Sequence, residues 1–266
     1  MTTPPRLLIL YITAGDGHRR AAEAVANQLQ SRGAHVSLLD AMPHAHPIFR
    51  AIYVGGGLGL IIRLPSVFHA AYRLTDRSKV DRVIRGPRHR AQQLSTQSLL
   101  QAITAYQPDA IICTHFLPAE VCAGWQRSRQ IKVPVYTVIT DFEPHRIWQH
   151  QGIAGYCVAT DAAASRLMAD GIDRSIIKVT GIPIQTDFAH LPDRATAIKK
   201  LQLNPDRSTL LIMGGGLGVG KIEHIAQALI KKPIDAQIIF ITGHNRALRR
   251  RLQQQSPDWI VRGFVN

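Results

Sequence analysis

Acidic side chains are in short supply: 18 Asp and Glu face 32 Lys and Arg across 266 residues, a formal charge of +14. Cysteine is nearly absent. Cys113, Cys122 and Cys157 are an odd number with no CxxC spacing, which excludes a disulfide framework and fits reduced, buried thiols in a cytosolic protein. Aromatic residues make up only 6% of the chain, against 45% hydrophobic residues overall, the balance of an α/β interior of Val, Ile, Leu and Ala. Long apolar runs are missing. The best candidate, Leu58–Phe68, is broken by Arg63 and Pro65 and falls short of the roughly 18–20 residues of a spanning helix. Met1–Arg6 is too short and polar for a signal peptide, so a cytoplasmic location is expected.

The excess positive charge is partly concentrated. Between Arg63 and Arg90 lie eight basic residues (Arg63, Arg73, Arg77, Lys79, Arg82, Arg85, Arg88 and Arg90) and only two acids, Asp76 and Asp81, a local charge of +6. The apolar run Ala51–Leu64, AIYVGGGLGLIIRL, precedes them. Apolar residues beside a basic cluster suit an anionic membrane surface, where each Lys or Arg contributes about 1 kcal/mol. Nucleic acid is the rival partner for any basic protein. No recognised nucleic-acid-binding signature is present, and Tyr53, Phe68 and Tyr72 suit packing better than base stacking, so nucleic acid is not expected. A solvated basic helix is the competing explanation of the charge.

Two glycine-rich turns about two hundred residues apart dominate what is present. Leu7–Ala22 reads LLILYITAGDGHRRAA and Leu210–Ala226 reads LLIMGGGLGVGKIEHIA. Each is a buried strand, a glycine turn and a helix, which places helix-start N–H groups at the carboxyl end of a strand, where anions and above all phosphate bind. Strand and helix alternate nearly throughout. Strands are predicted at Leu7–Ile12, Val36–Leu39, Ala110–Thr114, Val135–Thr140, Tyr156–Ala159 and Ile177–Thr180. Helices are predicted at His18–Ser31, Leu94–Tyr106, Pro118–Arg129 and Asp161–Asp170, the last capped by Asp161. Pro43–Arg90 reads as irregular helical insertions. Gly181–Pro192 reads as a connector, after which three more helices (Ala195–Leu201, Lys221–Lys231, Arg246–Gln254) and three strands (Thr209–Met213, Gln237–Ile241, Trp259–Val261) follow. This pattern argues for parallel sheets with helices on both faces and ligands beyond the carboxyl strand ends. We expect two domains, 1–182 and 183–266, the second incomplete, because a doubly wound domain normally holds five or six strands.

Three chemistries compete for the loops. In a dinucleotide fingerprint, Gly15 and Gly17 fit and Asp40 follows as a ribose-binding acid, but Arg20 occupies the third glycine position, where its bulk opposes close helix–strand packing. In a Walker loop, Gly215 and Gly220-Lys221 fit, but Ile222 replaces the magnesium-binding hydroxyl. In a two-domain sugar-nucleotide transferase the loops do different jobs. His18, at the start of its helix, is a general-base candidate because its pKa lies near neutrality. The second loop, Gly214, Gly215, Gly216, Gly218 and Gly220, has no titratable side chain before Lys221, so its backbone and helix dipole can hold a diphosphate without a metal or other cofactor. A histidine bonded to backbone and a tightly packed glycine turn are the structural alternatives.

At these residues the chain resembles the monogalactosyldiacylglycerol synthase and processive diacylglycerol glucosyltransferase family, glycosyltransferases of the GT-B type with two Rossmann-like domains. The resemblance rests on Gly15-Asp16-Gly17-His18 with Ala21-Ala22, VITDFEPHRIW (Val138–Trp148), VTGIPI (Val179–Ile184), LLIMGGGLGVG (Leu210–Gly220), ITGHN (Ile241–Asn245) and RGF (Arg262–Phe264). It implies inverting transfer of a hexose from UDP-glucose or UDP-galactose to diacylglycerol, by an enzyme peripheral on the cytosolic membrane face. It further implies His18 and Asp141 as catalytic residues and Gly17, His145 and Trp148 at the acceptor. The donor would meet Gly214, Gly215, Gly216 and Gly218 at its diphosphate, Gly243 and Asn245 beside them, and Gly263 and Phe264 by the uracil. Thr13 stands where plant-type members carry an aspartate, so base catalysis falls to His18 or Asp141. A later donor motif of the family is absent from these 266 residues, from which reduced activity is expected. A membrane-surface binding module without catalysis, and a UDP-sugar transferase with a soluble acceptor, are the alternatives.

Overall fold

The protein is described by a computed structural model covering residues 3–13, 16–53, 65–76 and 78–265. Gly15 and most of the apolar run Ala51–Leu64, with Arg63 and Arg77 of the basic stretch, lie outside the described residues. The chain divides into two compact units, Met1–Thr186 and Asp187–Asn266.

The first unit is built on a wholly parallel sheet. Its strands are β1 (Arg6–Tyr11), β2 (His35–Asp40), β3 (Ala110–Cys113), β4 (Val135–Val138), β5 (Gly155–Val158) and β6 (Ile177–Val179), in the spatial order β2-β1-β3-β4-β5-β6. A parallel sheet is covered on both faces, so its central strand is apolar on both sides. In β1, Leu8 and Leu10 point into the larger core, while Ile9 meets Ala22 and Ala26 of α1 (Gly17–Ser31) on the other face. The alanines let α1 lie close to the sheet. The crossover from β2 to β3 carries α2 (Pro65–Thr75), α3 (Ser78–Ser95) and α4 (Gln97–Tyr106). Helix α5 (Phe116–Arg127) follows β3, and α6 (Asp161–Ala169) follows β5.

Helix α5 is enclosed on nearly every side, with Leu117 through Trp125 all buried. Glu120 in its middle has a fully buried side chain that must find a partner. Arg88 Nε of α3 lies 2.8 Å from its Oε1, and His89 Nε2 lies 2.7 Å from the same oxygen. Arg88 Nε donates the directional hydrogen bond to this oxygen, while His89 Nε2 approaches it without hydrogen-bond geometry. This pair pins the basic helix α3 to the core of the first unit.

Two local expectations need correction. The helix predicted over Leu94–Tyr106 is split at Thr96, whose hydroxyl donates to the Gln92 carbonyl at 2.7 Å. Leu94 therefore belongs to α3 and is 77% exposed, while Leu99 and Ile103 carry the buried face of α4. The cap of α6 is Thr160, whose Oγ1 accepts from Ala163 N at 3.1 Å; Asp161 is the first helical residue. There its charge meets the positive end of the helix. Beyond residue 182, the Gln185 amide donates to the Arg20 carbonyl at 3.3 Å and accepts from Asn27 at 3.2 Å.

The second unit has a three-stranded parallel sheet, β7 (Ser208–Met213), β8 (Ala236–Ile241) and β9 (Ile260–Arg262), in that spatial order. Helix α7 (Arg194–Leu201), capped by Asp193, precedes it, and α8 (Ile222–Lys231) and α9 (Arg246–Gln255) connect its strands. Ile222, Ala226, Phe240, Leu248, Leu252 and Val261 close its core.

Candidate functional site

In the first sheet the strand order reverses between β1 and β3, and the carboxyl ends flanking such a point form the crevice where doubly wound sheets bind ligands. The segment after β1 brings in His18, the segment after β3 brings Thr114 and His115, and the segment after β4 brings Thr140 and Asp141. His18 Nδ1 lies 2.9 Å from the Thr114 carbonyl and 3.0 Å from Thr140 Oγ1. A carbonyl only accepts, so Nδ1 carries the proton and the Nε2 lone pair is left for a substrate. Thr114 Oγ1 donates in return to the His18 carbonyl at 2.9 Å. Burial lowers the His18 pKa below its ordinary 6.5, opposed by the Thr114 bond and the charge of Asp141. The ring is therefore neutral near pH 7, the state a general base requires.

Asp141 accepts from the Trp148 indole, Nε1 to Oδ2, at 2.7 Å. It does not cap the following turn. Arg146–Trp148 is capped by His145, whose Nδ1 accepts from Ile147 N at 2.9 Å. The other ring nitrogen of His145 faces Thr75 Oγ1 at 3.3 Å and Asp76 Oδ1 at 3.8 Å. His145 and Trp148, both expected at the acceptor, are buried, and their side chains bond within the loop that carries Asp141. Gly17, in contrast, is the exposed first residue of α1, with nothing within 4 Å of a Cβ placed there. Asp40, the ribose-acid candidate of the dinucleotide reading, spends a carboxylate oxygen on Met42 N at 2.9 Å.

Sequence reasoning missed His115. It caps α5, with Nδ1 accepting from Leu117 N at 3.1 Å, and its ring stands edge-on to His18 with centroids 4.5 Å apart. Burial, and next the neighbouring His18, push its pKa well below 6.5. Phe116, Trp148 and Tyr53 complete an aromatic wall around it, each within 6.5 Å of a neighbouring ring. The available signal was a Thr-His pair directly after an apolar strand. Phe142, beside Asp141, is 71% exposed.

In the second unit all eight residues expected at the donor gather at the carboxyl ends of β7, β8 and β9. The loop 214–220 is held by the turn after β8: His244 N donates to the Gly216 carbonyl at 2.8 Å, and Asn245 Nδ2 to the Gly218 carbonyl at 3.1 Å. Asn245 Oδ1 simultaneously caps α9 through Leu248 N at 2.9 Å. Gly218 and Gly243 have φ of +60° and +56°, and a Cβ on Gly218 would fall 2.7 Å from Asn245 Cβ. No other residue satisfies both the left-handed backbone and that approach. Gly214 N bonds the Ile241 carbonyl at 3.2 Å, and Gly215 sits at φ +62°. Phe264 lies flat on His244, 4.4 Å away at 9°, and Gly263 stands with its Cβ position 3.6 Å from the Gly243 carbonyl. The start of α8 has no side-chain cap, so its first N–H groups and dipole are open to an anion.

Residues 18–184 match the family model of monogalactosyldiacylglycerol (MGDG) synthase. The chain is similar to the processive diacylglycerol beta-glucosyltransferase of Bacillus licheniformis, 31% identical over 256 residues, covering 95% of this chain and 65% of that one. It is 30% identical over 272 residues to the Bacillus subtilis protein of the same name, covering 100% and 69%. The chain thus spans about two thirds of the length of the curated relatives it matches. Among solved structures, a glycosyltransferase from Rickettsia africae superposes with a TM-score of 0.55 at 12% identity, over 100% of this chain and 69% of that one. The UDP co-structure of S. aureus MnaA gives 0.54 at 14% identity, over 97% and 69%. These likenesses show the fold: α/β of the GT-B type, with parallel sheets.

Proposed function

The chain belongs to the monogalactosyldiacylglycerol synthase family of glycosyltransferases, and we propose that it transfers a hexose from a UDP-sugar to the free hydroxyl of diacylglycerol with inversion. The observation that carries the proposal is His18, neutral and with Nδ1 committed to the Thr114 carbonyl at 2.9 Å. That bond leaves Nε2 to take the acceptor proton. The deprotonated oxygen attacks the anomeric carbon, the bond to the diphosphate oxygen breaks, and UDP departs with the bonding pair. The proton stays on the imidazole, where the Asp141 carboxylate stabilises it. This division of labour favours His18 as the base, since one Asp141 oxygen is already held by Trp148 at 2.7 Å.

In the second unit the glycine loop would receive the diphosphate on backbone N–H groups at the start of α8, with Gly243 and Asn245 shaping that loop and Gly263 and Phe264 beside it. Names of the curated relatives support glucose as the hexose. Among the described residues no helix is long and apolar enough to cross a membrane. An anionic lipid surface would instead be met by exposed apolar and basic side chains of the β2–β3 crossover, such as Ile48, Ile52, Val67, Arg73 and Leu74. The test is a radiolabelled transfer assay with UDP-glucose and UDP-galactose on vesicles containing diacylglycerol and anionic lipid, with UDP binding followed by calorimetry. Labelled glycolipid is expected. Absence of both lipid product and UDP binding would overturn the proposal.

A further inference from the structure

Beside the proposed base stands a second imidazole to which that mechanism gives no task. His115 directly follows Thr114, which grips His18 at both its ring and its carbonyl. Its own Nδ1 accepts a backbone N–H, from Leu117 at 3.1 Å, so in the neutral ring its proton sits on Nε2. His18 has the opposite tautomer. Two neutral imidazoles in complementary tautomers thus meet edge to face, 4.5 Å apart at 69°.

We propose that His115 is a positioning residue for His18: its ring fixes the plane of the base, keeps water from it, and so holds the Nε2 lone pair towards the acceptor. The proposal rests on His18 being the base. A cap alone would not require a ring, because Asn or Ser caps a helix at least as well. A protonated imidazole here would set a cation against the base. Burial keeps His115 neutral instead. Asp141 is the charged group acting on His18, and His18 the titratable group acting on His115. The remaining wall of Phe116, Trp148 and Tyr53 is uncharged at neutral pH.

Two substitutions in the full chain separate ring from cap. His115→Asn keeps a cap acceptor and removes the ring; His115→Phe keeps a ring and removes the acceptor. Nitrogen-15 imidazole spectra read the tautomer and titration of His18 directly. In His115→Asn the His18 titration is expected to move up towards 6.5 and its Nδ1–H tautomer to become mixed, with kcat down about tenfold or more and acceptor KM within about twofold. In His115→Phe the His18 spectrum is expected to stay near that of the unaltered chain, while the melting temperature falls. His18 titration and tautomer unchanged in His115→Asn would overturn the proposal, and His115→Ser gives the same reading should the Asn variant not fold. If His18 shifts as expected in a chain without transferase activity, the positioning role stands and the proposed reaction falls.

Discussion

Replacing Glu120 with Gln tests the physical account of the first unit most directly. The Glu120 side chain is fully buried in the middle of α5, with Arg88 and His89 of α3 against one oxygen. Burial by itself would raise its pKa. The His89 contact, the charge of His150 and the Arg88 pair outweigh it and bring the value from 4.5 down to about 2. That difference corresponds to about 3 kcal/mol of stability at neutral pH, in the range measured for breaking one side of a buried pair. The sign follows from the depressed value: the contribution is complete above about 4.5 and is lost as pH falls through about 2, with roughly half remaining near pH 3. Glu120→Gln is nearly isosteric but carries no charge. It is expected to lower the stability of the first unit by about 3 kcal/mol at pH 7, or about 6–12 °C in melting temperature for a unit of this size. Urea titrations followed by circular dichroism at pH 7, 5 and 3 measure both numbers. A loss under about 1 kcal/mol at pH 7, or a gap between variant and parent that does not narrow between pH 5 and pH 3, would refute the reasoning.

Three further outcomes are expected. His18→Ala lowers turnover by about 10²-fold or more while UDP affinity by calorimetry stays within about twofold; equal loss of both would assign His18 to donor binding. The acid limb of the kcat/KM profile lies below pH 6.5, since burial lowers the His18 pKa and the active form is the neutral ring; a limb above 6.5 would contradict a desolvated base. Gly218→Ala and Gly243→Ala each force a side chain into a left-handed backbone position against the neighbouring turn. Each should cost about 1–3 kcal/mol of second-unit stability and abolish measurable UDP binding, which thermal unfolding and calorimetry report separately.

The sequence by itself determined the alternation of strand and helix, the parallel sheets, the two glycine turns and the family. These follow from local periodicity and from glycine, which marks a backbone requirement in place. Where local rules competed, tertiary structure decided. Thr96 breaks a continuous apolar pattern because its hydroxyl finds the Gln92 carbonyl, and Glu120, an acid amid a buried helix, is intelligible only once Arg88 arrives from α3. The first-unit site was half legible. His18 and Asp141 stand out at the ends of predicted strands, but the bonds that fix His18 come from Thr114 and Thr140, 96 and 122 positions away. Sheet order, which brings β3 between β1 and β4, creates that meeting. The same order turns His115 from an ordinary residue after a strand into the neighbour of His18, and folds His145 and Trp148 inward. Composition and spacing describe what a chain can bury and where it can turn. Which nitrogen keeps its lone pair depends on a carbonyl supplied by another strand.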